Sequence, residues 1–460
     1  MKEAFLERKY FGTDGIRGRA NSNPMTIEIA MKVGQAAGQL FREKSPHARP
    51  TVVIGKDTRV SGYMVESALQ AGFTSVGFYT LLVGPLPTPA VSFLTRSLRA
   101  DLGVMISASH NEFADNGIKL FGPDGFKLPD SMEHEIESLM DGVDGRKIDL
   151  MDAAKIGKAV RIEDAVGRYI ESCKMAFSND FRLDGMRIVI DCANGAAYKI
   201  APKILWELGA QVIRIGAEPD GYNINRKCGA LHTKGLKKAV LNHGADIGIA
   251  LDGDADRLII CDELGNIIDG DQIMATVASY LNSKGLLKGK GVVATQMSNM
   301  GLEKYLEGEG MHLVRTNVGD RYVMEGMIKG GYNFGGEASG HMILLDHATT
   351  GDGLLAALKF LEVLRAESTR ASVLGKRFTP FPQRLENVTL PSKDLANQVI
   401  NAPAVQDMIA QVEEEMADEG RVLIRKSGTE PLVRVMVEGA DAEKVDDAVE
   451  RIAAKMRASL

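Results

Sequence analysis

The chain has 460 residues, 45% hydrophobic and 25% charged, and its 55 Lys and Arg against 61 Asp and Glu leave a net charge of −6. At roughly 100–200 residues per domain this predicts about three or four domains, and the composition excludes disordered, collagen-like and low-complexity architectures. The acidic balance argues against a whole-surface nucleic-acid binder while leaving room for a local basic cleft.

Cys173, Cys192, Cys228 and Cys261 are widely spaced with no CxxC pair. That pattern suits a reducing cytosol and argues against a disulfide framework or a zinc finger. Met1 to Tyr10 is charged and lacks the apolar stretch of a secretory signal. Ser67 to Thr95 carries no charge, but Gly72, Gly77, Gly84, Pro85, Pro87 and Pro89 interrupt it. It falls short of the ~20 apolar residues of a membrane span, and reads as a helix end, a buried strand, a proline loop and a new helix. A cytoplasmic protein without membrane or nucleic-acid partners is expected.

In chain order, three similar units follow. Each opens on a β-branched run, Thr51 to Gly55, Arg187 to Asp191 and Gly291 to Thr295, of the kind that forms buried parallel strands. Helix-like stretches come next, then glycine-led strands at Ala71-Gly72-Phe73, Leu208-Gly209-Ala210 and Glu309-Gly310-Met311. A third strand in each unit runs into a polar loop: Ala100 to Ile106 into Ser107-Ala108-Ser109-His110-Asn111, Ala245 to Leu251 into Asp252-Gly253-Asp254-Ala255-Asp256-Arg257, and Gly330 to Gly336 into Glu337-Ala338-Ser339-Gly340-His341. The first two third strands share Ala-Asp-(Leu/Ile)-Gly; the third matches only in pattern. Since strand carboxyl ends hold ligands in open α/β sheets, three related domains would each offer one loop to a shared cleft. The tail differs: a strand from Gln383 to Leu390, a helix from Ala404 to Asp418, two strands within Arg421 to Glu438 and a helix from Ala442 to Met456 make a smaller α+β domain. Boundaries are expected near 155, 262 and 375.

The loops carry the chemistry. Asp252, Asp254 and Asp256 alternate along a tight loop and can converge on one hard cation. An EF-hand would need Gly where Arg257 stands, and helices where the flanks read as strands. A solvated acidic turn is the plain alternative, but three acids wedged between apolar strands are costly without a cation. Mg²⁺ is the expected ion, with Arg257 beside it to meet an anion. Ser107 to Asn111 is not the GxSxG elbow of the α/β-hydrolases. Alone it reads as a serine-rich turn; its alignment with the acidic loop and nearby Lys119 point to phosphoryl transfer. Glu337 and Ser339 could bind sugar hydroxyls and His341 could carry a proton, or be structural. Arg425-Lys426-Ser427-Gly428-Thr429-Glu430 has the composition of an anion-binding nest, with an ordinary hairpin as its plain reading. Neither a GxxxxGK[ST] loop nor a strand-linked GxGxxG occurs, which argues against a Walker-type NTPase and a dinucleotide enzyme.

Together and in this order, these loops resemble those of the α-D-phosphohexomutase superfamily over essentially the whole chain. Phe11 to Gly18, Val318 to Val323 and Thr349 to Gly353 extend the resemblance to its amino-sugar branch, including Asp320 where the mannose/glucose branch often has His. Glu112, where many relatives have Pro, departs from the pattern and leaves the nearby loop conformation open. The resemblance implies an α/β protein of three related α/β/α sandwich domains (1–155, 156–262, 263–375) and a smaller C-terminal α+β, TBP-like domain (376–460) around a central cleft. It implies that Ser109 is a phosphoserine, with Mg²⁺ on its phosphate and on Asp252, Asp254 and Asp256. Arg17, Lys119 and Arg257 would line the transfer site, and His341 would be a candidate acid/base. Glu337 and Ser339 would grip the sugar, while Arg425, Ser427, Gly428 and Thr429 would hold the non-reacting phosphate. The implied activity interconverts glucosamine 6-phosphate and glucosamine 1-phosphate, primed by a hexose 1,6-bisphosphate (glucosamine or glucose), for UDP-N-acetylglucosamine and peptidoglycan precursors. A homodimer is compatible with it. A glucose or mannose phosphomutase is the nearest alternative; a metal-dependent phosphatase and a non-catalytic sugar-phosphate binder are further ones.

Overall fold

The computed structural model describes residues 9–426 and 430–460. The first sheet runs, edge to edge, through Phe11–Gly12, Gly15–Arg19, Asp115–Phe121, Leu102–Ile106, Thr51–Lys56, Tyr79–Pro85 and Ala159–Arg161. Its last four strands are parallel. The second takes Ile267–Ile268, Leu258–Asp262, Ile247–Leu251, Arg187–Asp191 and Gln211–Ile215; the third takes His312–Thr316, Gly291–Thr295, Phe334–Gly336 and Met342–Leu344. The first sheet passes the expected boundary at 155 with Ala159–Arg161, and the second passes that at 262 with Ile267–Ile268.

The three units share one construction. The opening strand pairs in parallel with the third strand of its unit, as Val52 with Leu102, Ile188 with Ile247 and Val293 with Gly335. The third strand then pairs antiparallel with the strand after its polar loop: Ile106 with Ile118, Leu251 with Leu258, Gly336 with Met342. Each functional loop is therefore the link at the carboxyl end of a buried parallel strand, where ligands collect. The alignment of Ser107, Asp252 and Glu337 read from sequence holds in space.

One element departs from the reading. Ala71-Gly72-Phe73 lies inside the helix Ser61–Ser75, and the following strand begins at Tyr79 after Gly77. Gly72 serves a helix crossing: a Cβ there would stand 2.3 Å from the carbonyl of Met31 on the helix Ile27–Lys44. The segment Ser67 to Thr95 is otherwise as expected, ending in the helix Thr88–Ser97.

A continuous core joins the first three units through residues such as Val53, Leu86, Ile188, Leu258, Phe334 and Leu358. The helix Gly353–Ala366 is buried from Gly353 to Leu364, as its near-continuous apolar sequence dictates. Asp352 caps it, accepting from the Leu355 amide at 2.9 Å and from the Tyr169 hydroxyl at 2.7 Å. The C-terminal unit is a three-stranded antiparallel sheet of Gln383–Thr389, Leu432–Gly439 and Gly420–Lys426. Pro403–Met416 and Ala442–Ala458 cover it, and its core of Val388, Val412, Val435 and Ile452 is separate. Among the described residues no helix is long and apolar enough to cross a membrane.

Candidate active site

Ser109 follows the strand Leu102–Ile106 and is 2% exposed. Its φ of +50° lies in the left-handed region, which L-residues adopt only when surrounding structure imposes it. The ties are visible. The Ser109 amide donates to Ser107 Oγ at 2.9 Å, and Ser107 Oγ donates to Asp57 Oδ2 at 2.7 Å. Burial pushes the Asp57 carboxyl up against the opposing pull of Arg59. The outcome is that Ser109 Oγ donates to Asp252 Oδ2 at 2.6 Å, across the boundary between the first two units.

The acidic loop approaches so closely that residue 253 must be glycine: a Cβ there would lie 2.5 Å from the Ser109 carbonyl. Ligand atoms of Asp252, Asp254 and Asp256 all lie within 4.8 Å of one another, and all three residues are buried. Burial and the two neighbouring acids drive Asp252 well above the usual carboxylate range. Burial acts the same way on Asp256, but Lys119, His341 and Arg257 together hold it well below that range. Asp254 Oδ1 and Asp256 Oδ1 are buried without a hydrogen-bond partner among the described residues. Orphaned carboxylate oxygens in a converging set of hard donors fit a divalent cation such as Mg²⁺.

Cations ring this centre. Lys119 Nζ sits 3.1 Å from Asp254, 3.5 Å from Asp256 and 3.3 Å from Asp14. Burial would discharge it, but the three carboxylates outweigh burial and raise it. The Nε atoms of Arg17 and Arg257 are buried without partners among the described residues, as donors awaiting an anion would be. His110 is driven down to about 4 by burial with Arg257 and Arg17, so it is neutral at neutral pH. His341, from the third unit, places Nδ1 3.8 Å from Asp256 and Nε2 3.5 Å from Asp320. Burial lowers it, but these acids and Glu337 raise it above the ordinary imidazole value. A cleft of about 310 Å³ lies between these groups, lined by Thr13, Asp14, Arg17, Ser109, Asp256, Arg257, Asp320, Glu337 and His341 among others.

Ser109, Lys119, Arg17, Arg257, His341, Glu337 and the three aspartates are thus brought together. Ser339 is an exposed turn residue, while Glu337 faces the cleft and accepts from the Gly319 amide at 3.2 Å. Arg425 stands on Gly420–Lys426 in the C-terminal unit, half-buried beside Arg434, and is not among the residues lining the cleft. Ser427, Gly428 and Thr429 lie outside the described residues.

Sequence reasoning missed Thr88, whose Oγ donates to Asp254 Oδ2 at 2.6 Å. It also missed Lys127, which ion-pairs with Asp14 at 2.5 Å and with Asp320 of the third unit. Asp57 and Arg59 were missed although they follow the first parallel strand, a position that itself is a signal. Lys127, in a glycine-turn segment between the strand Asp115–Phe121 and the helix Asp130–Asp141, offered none.

Three α/β units feeding a serine loop, a carboxylate loop and an acid-and-imidazole loop into one cleft define a phosphoryl-transfer protein of the sugar-phosphate class. Family models for phosphoglucomutase/phosphomannomutase match alpha/beta/alpha domain I at 8–147, domain II at 167–265, domain III at 269–381 and the C-terminal domain at 385–455. The chain belongs to the phosphoglucomutase/phosphomannomutase family. It is 56% identical to phosphoglucosamine mutase of Paramagnetospirillum magneticum, over 98% of this chain and 99% of that one. A phosphoglucomutase/phosphomannomutase family protein of Burkholderia thailandensis has a similar fold, with a TM-score of 0.82 at 21% identity, over 98% of this chain and 97% of that one. Aspergillus fumigatus N-acetylphosphoglucosamine mutase, solved in complex with GlcNAc-6P and magnesium, gives 0.68 at 19% identity, over 98% and 96%.

Proposed function

We propose that the chain interconverts glucosamine 6-phosphate and glucosamine 1-phosphate, the amino-sugar mutase reaction for which its full-length relative is named. The observation that carries the chemistry is the 2.6 Å contact of Ser109 Oγ with Asp252 in a buried triad of acids flanked by buried Lys119. In this reading Ser109 is phosphorylated in the resting enzyme. The Oγ–P bond breaks as the phosphoryl group bonds to the substrate's O1, whose proton leaves to a base, giving a 1,6-bisphosphate. The sugar then turns end for end. Its 6-phosphoryl group bonds to Ser109 Oγ, O6 takes up a proton and glucosamine 1-phosphate departs.

Arg17, Lys119 and Arg257 stabilise charge on the moving phosphoryl group, and His341, between Asp256 and Asp320, is the candidate proton carrier at O1 and O6. Asp252, Asp254 and Asp256, with the Ser109 phosphate, would hold Mg²⁺, which when bound neutralises phosphoryl charge. Glu337 and Ser339 would take sugar hydroxyls, and Arg425 with Ser427, Gly428 and Thr429 the distal phosphate. A hexose 1,6-bisphosphate would prime Ser109, and the cell's cytoplasm would be the working compartment. The test is ³¹P NMR with Mg²⁺, catalytic glucose 1,6-bisphosphate, and glucosamine 6-phosphate beside glucose 6-phosphate. Glucosamine 1-phosphate should grow in much faster. Faster glucose turnover would move the activity to the glucose/mannose branch, and inorganic phosphate alone would make the protein a phosphatase.

A further inference from the structure

The serine loop is tied down at two backbone carbonyls, and the ties come from two different units. Arg59 is wholly buried, and its Nη2 donates to the Ser109 carbonyl at 2.9 Å and to the Asn111 carbonyl at 2.8 Å. Asn225, from the second unit and 6% exposed, donates through Nδ2 to the same two carbonyls, at 2.8 Å and 2.9 Å. Two NH₂ groups and two carbonyl oxygens thus form a four-cornered ring that uses both acceptor sites of each carbonyl. The rest of the Arg59 fork is fixed too, Nε on Asp57 at 2.8 Å and Nη1 on the Asp115 carbonyl at 3.1 Å. Asn225 is itself held, its amide donating to the Ala193 carbonyl at 2.8 Å.

We propose that Asn225, paired with Arg59, is a positioning residue for the nucleophile. Resting on the reading of Ser109 as phosphoryl carrier, the inference follows from what the turn requires. A serine at positive φ is disfavoured, so the loop needs external ties to keep that conformation. Ties from the first unit alone would fix Ser109 within its own sheet, leaving its distance to Asp252 to depend on how the two units dock. Asn225 belongs to the unit that carries Asp252, so its amide sets the loop against the acidic centre directly. Buried hydrogen bonds to carbonyls keep the same geometry whether or not Ser109 bears phosphate, because neither donor uses Oγ. Asn225 has φ +58°, a conformation that Asn, Asp and Gly accept most readily.

That preference supplies the test. Asn225→Asp keeps size and backbone preference but turns an acceptor toward two carbonyls; Asn225→Gly removes the amide without straining the turn. For both variants the account expects kcat to fall about 10–100-fold, the scale of an ångström-sized misplacement. KM for glucosamine 6-phosphate should stay within about twofold, because the phosphate-binding cations are untouched. Phosphorylation of Ser109 by glucose 1,6-bisphosphate, followed by mass spectrometry, should slow by the same factor as kcat. A merely structural role would lower the fraction of active enzyme without slowing Ser109 phosphorylation in the folded fraction. Wild-type kcat in Asn225→Gly, or a changed KM with kcat intact, overturns the proposal. If Asn225→Asp fails to fold, Asn225→Gly decides alone. Failure of the underlying reading looks different: wild-type protein would then turn over without phosphate on Ser109.

Discussion

The seam between the first and second units and the seam between the first and third are built from different materials. At the first, buried donors reach backbone and carboxylate acceptors: Asn225 crosses to the serine loop, which Arg59 braces from within the first unit, and Thr88 holds Asp254 through both its hydroxyl and its amide, the latter 2.9 Å from the Asp254 carbonyl. At the second, long charged side chains meet in partial exposure, Lys127 with Asp320 and Arg321 with Asp130. A clasp of Thr349 on the Gly125 carbonyl, at 3.0 Å, accompanies them. The difference follows the chemistry. In the proposed reaction the serine loop and the acidic loop would keep one geometry through both transfers, which suits short, buried hydrogen bonds. A sugar that turned over between those transfers would need a wall that can part and re-form, and solvent-accessible ion pairs do so at small net cost.

Breaking the charged seam should have the larger effect. Lys127→Met takes away the cation shared by Asp14 and Asp320; Asp14 keeps Lys119 and Arg17 and Asp320 keeps His341, so what the substitution adds is like-charge repulsion across the seam. The expected result is a loss in kcat/KM of about a hundredfold, roughly 2.7 kcal/mol, largely restored by Lys127→Arg. Steady-state kinetics at two salt concentrations check it: the wild-type KM should rise with salt more steeply than that of Lys127→Met. An unchanged kcat/KM would mean that this seam does no more than surface ion pairs elsewhere.

A smaller effect sharpens the same contrast. Glu133, beneath the charged seam, is pushed up to about 8 by burial and by Asp14 and Glu137, against Lys127. Because its folded value lies above its unfolded one, the stability it contributes is complete below about pH 4.5 and is lost as pH rises through about 8. Glu133→Gln should therefore raise Tm by about 2 °C at pH 9 and leave it unchanged at pH 4. Calorimetry at the two pH values is the check, and an equal gain at both would assign the effect to packing.

What could be read from the sequence was the chemistry that stays local. Alternating Asp252, Asp254 and Asp256 point to a cation loop within five residues, and their alignment with Ser107 and Ser109 points to the serine loop, whereas the choice of Ser109 comes from the family resemblance. The threefold unit was legible because each strand–loop junction repeats. The glycine of Ala71-Gly72-Phe73 was misread because a helix-crossing glycine and a strand-leading one look alike until the second helix is known. Asn225 and Lys127 escaped because their roles exist only between units, and Arg59 because it reaches carbonyls some fifty residues away within its own unit: an arginine or asparagine donating to distant carbonyls leaves no spacing pattern. Arg425 was recognisable by composition, but it does not line the cleft of the first three units, and composition carries no information on where the C-terminal unit places it.

The central claim is that Ser109 carries the phosphoryl group in every turnover. Its most direct test is a single-turnover experiment with enzyme labelled by [³²P]glucose 1,6-bisphosphate, freed of excess and mixed with unlabelled glucosamine 6-phosphate. The account predicts label on the Ser109 peptide before mixing and on sugar bisphosphate and glucosamine 1-phosphate after it, with Ser109→Ala neither labelled nor active. Turnover by Ser109→Ala at a rate near that of the wild type would contradict it.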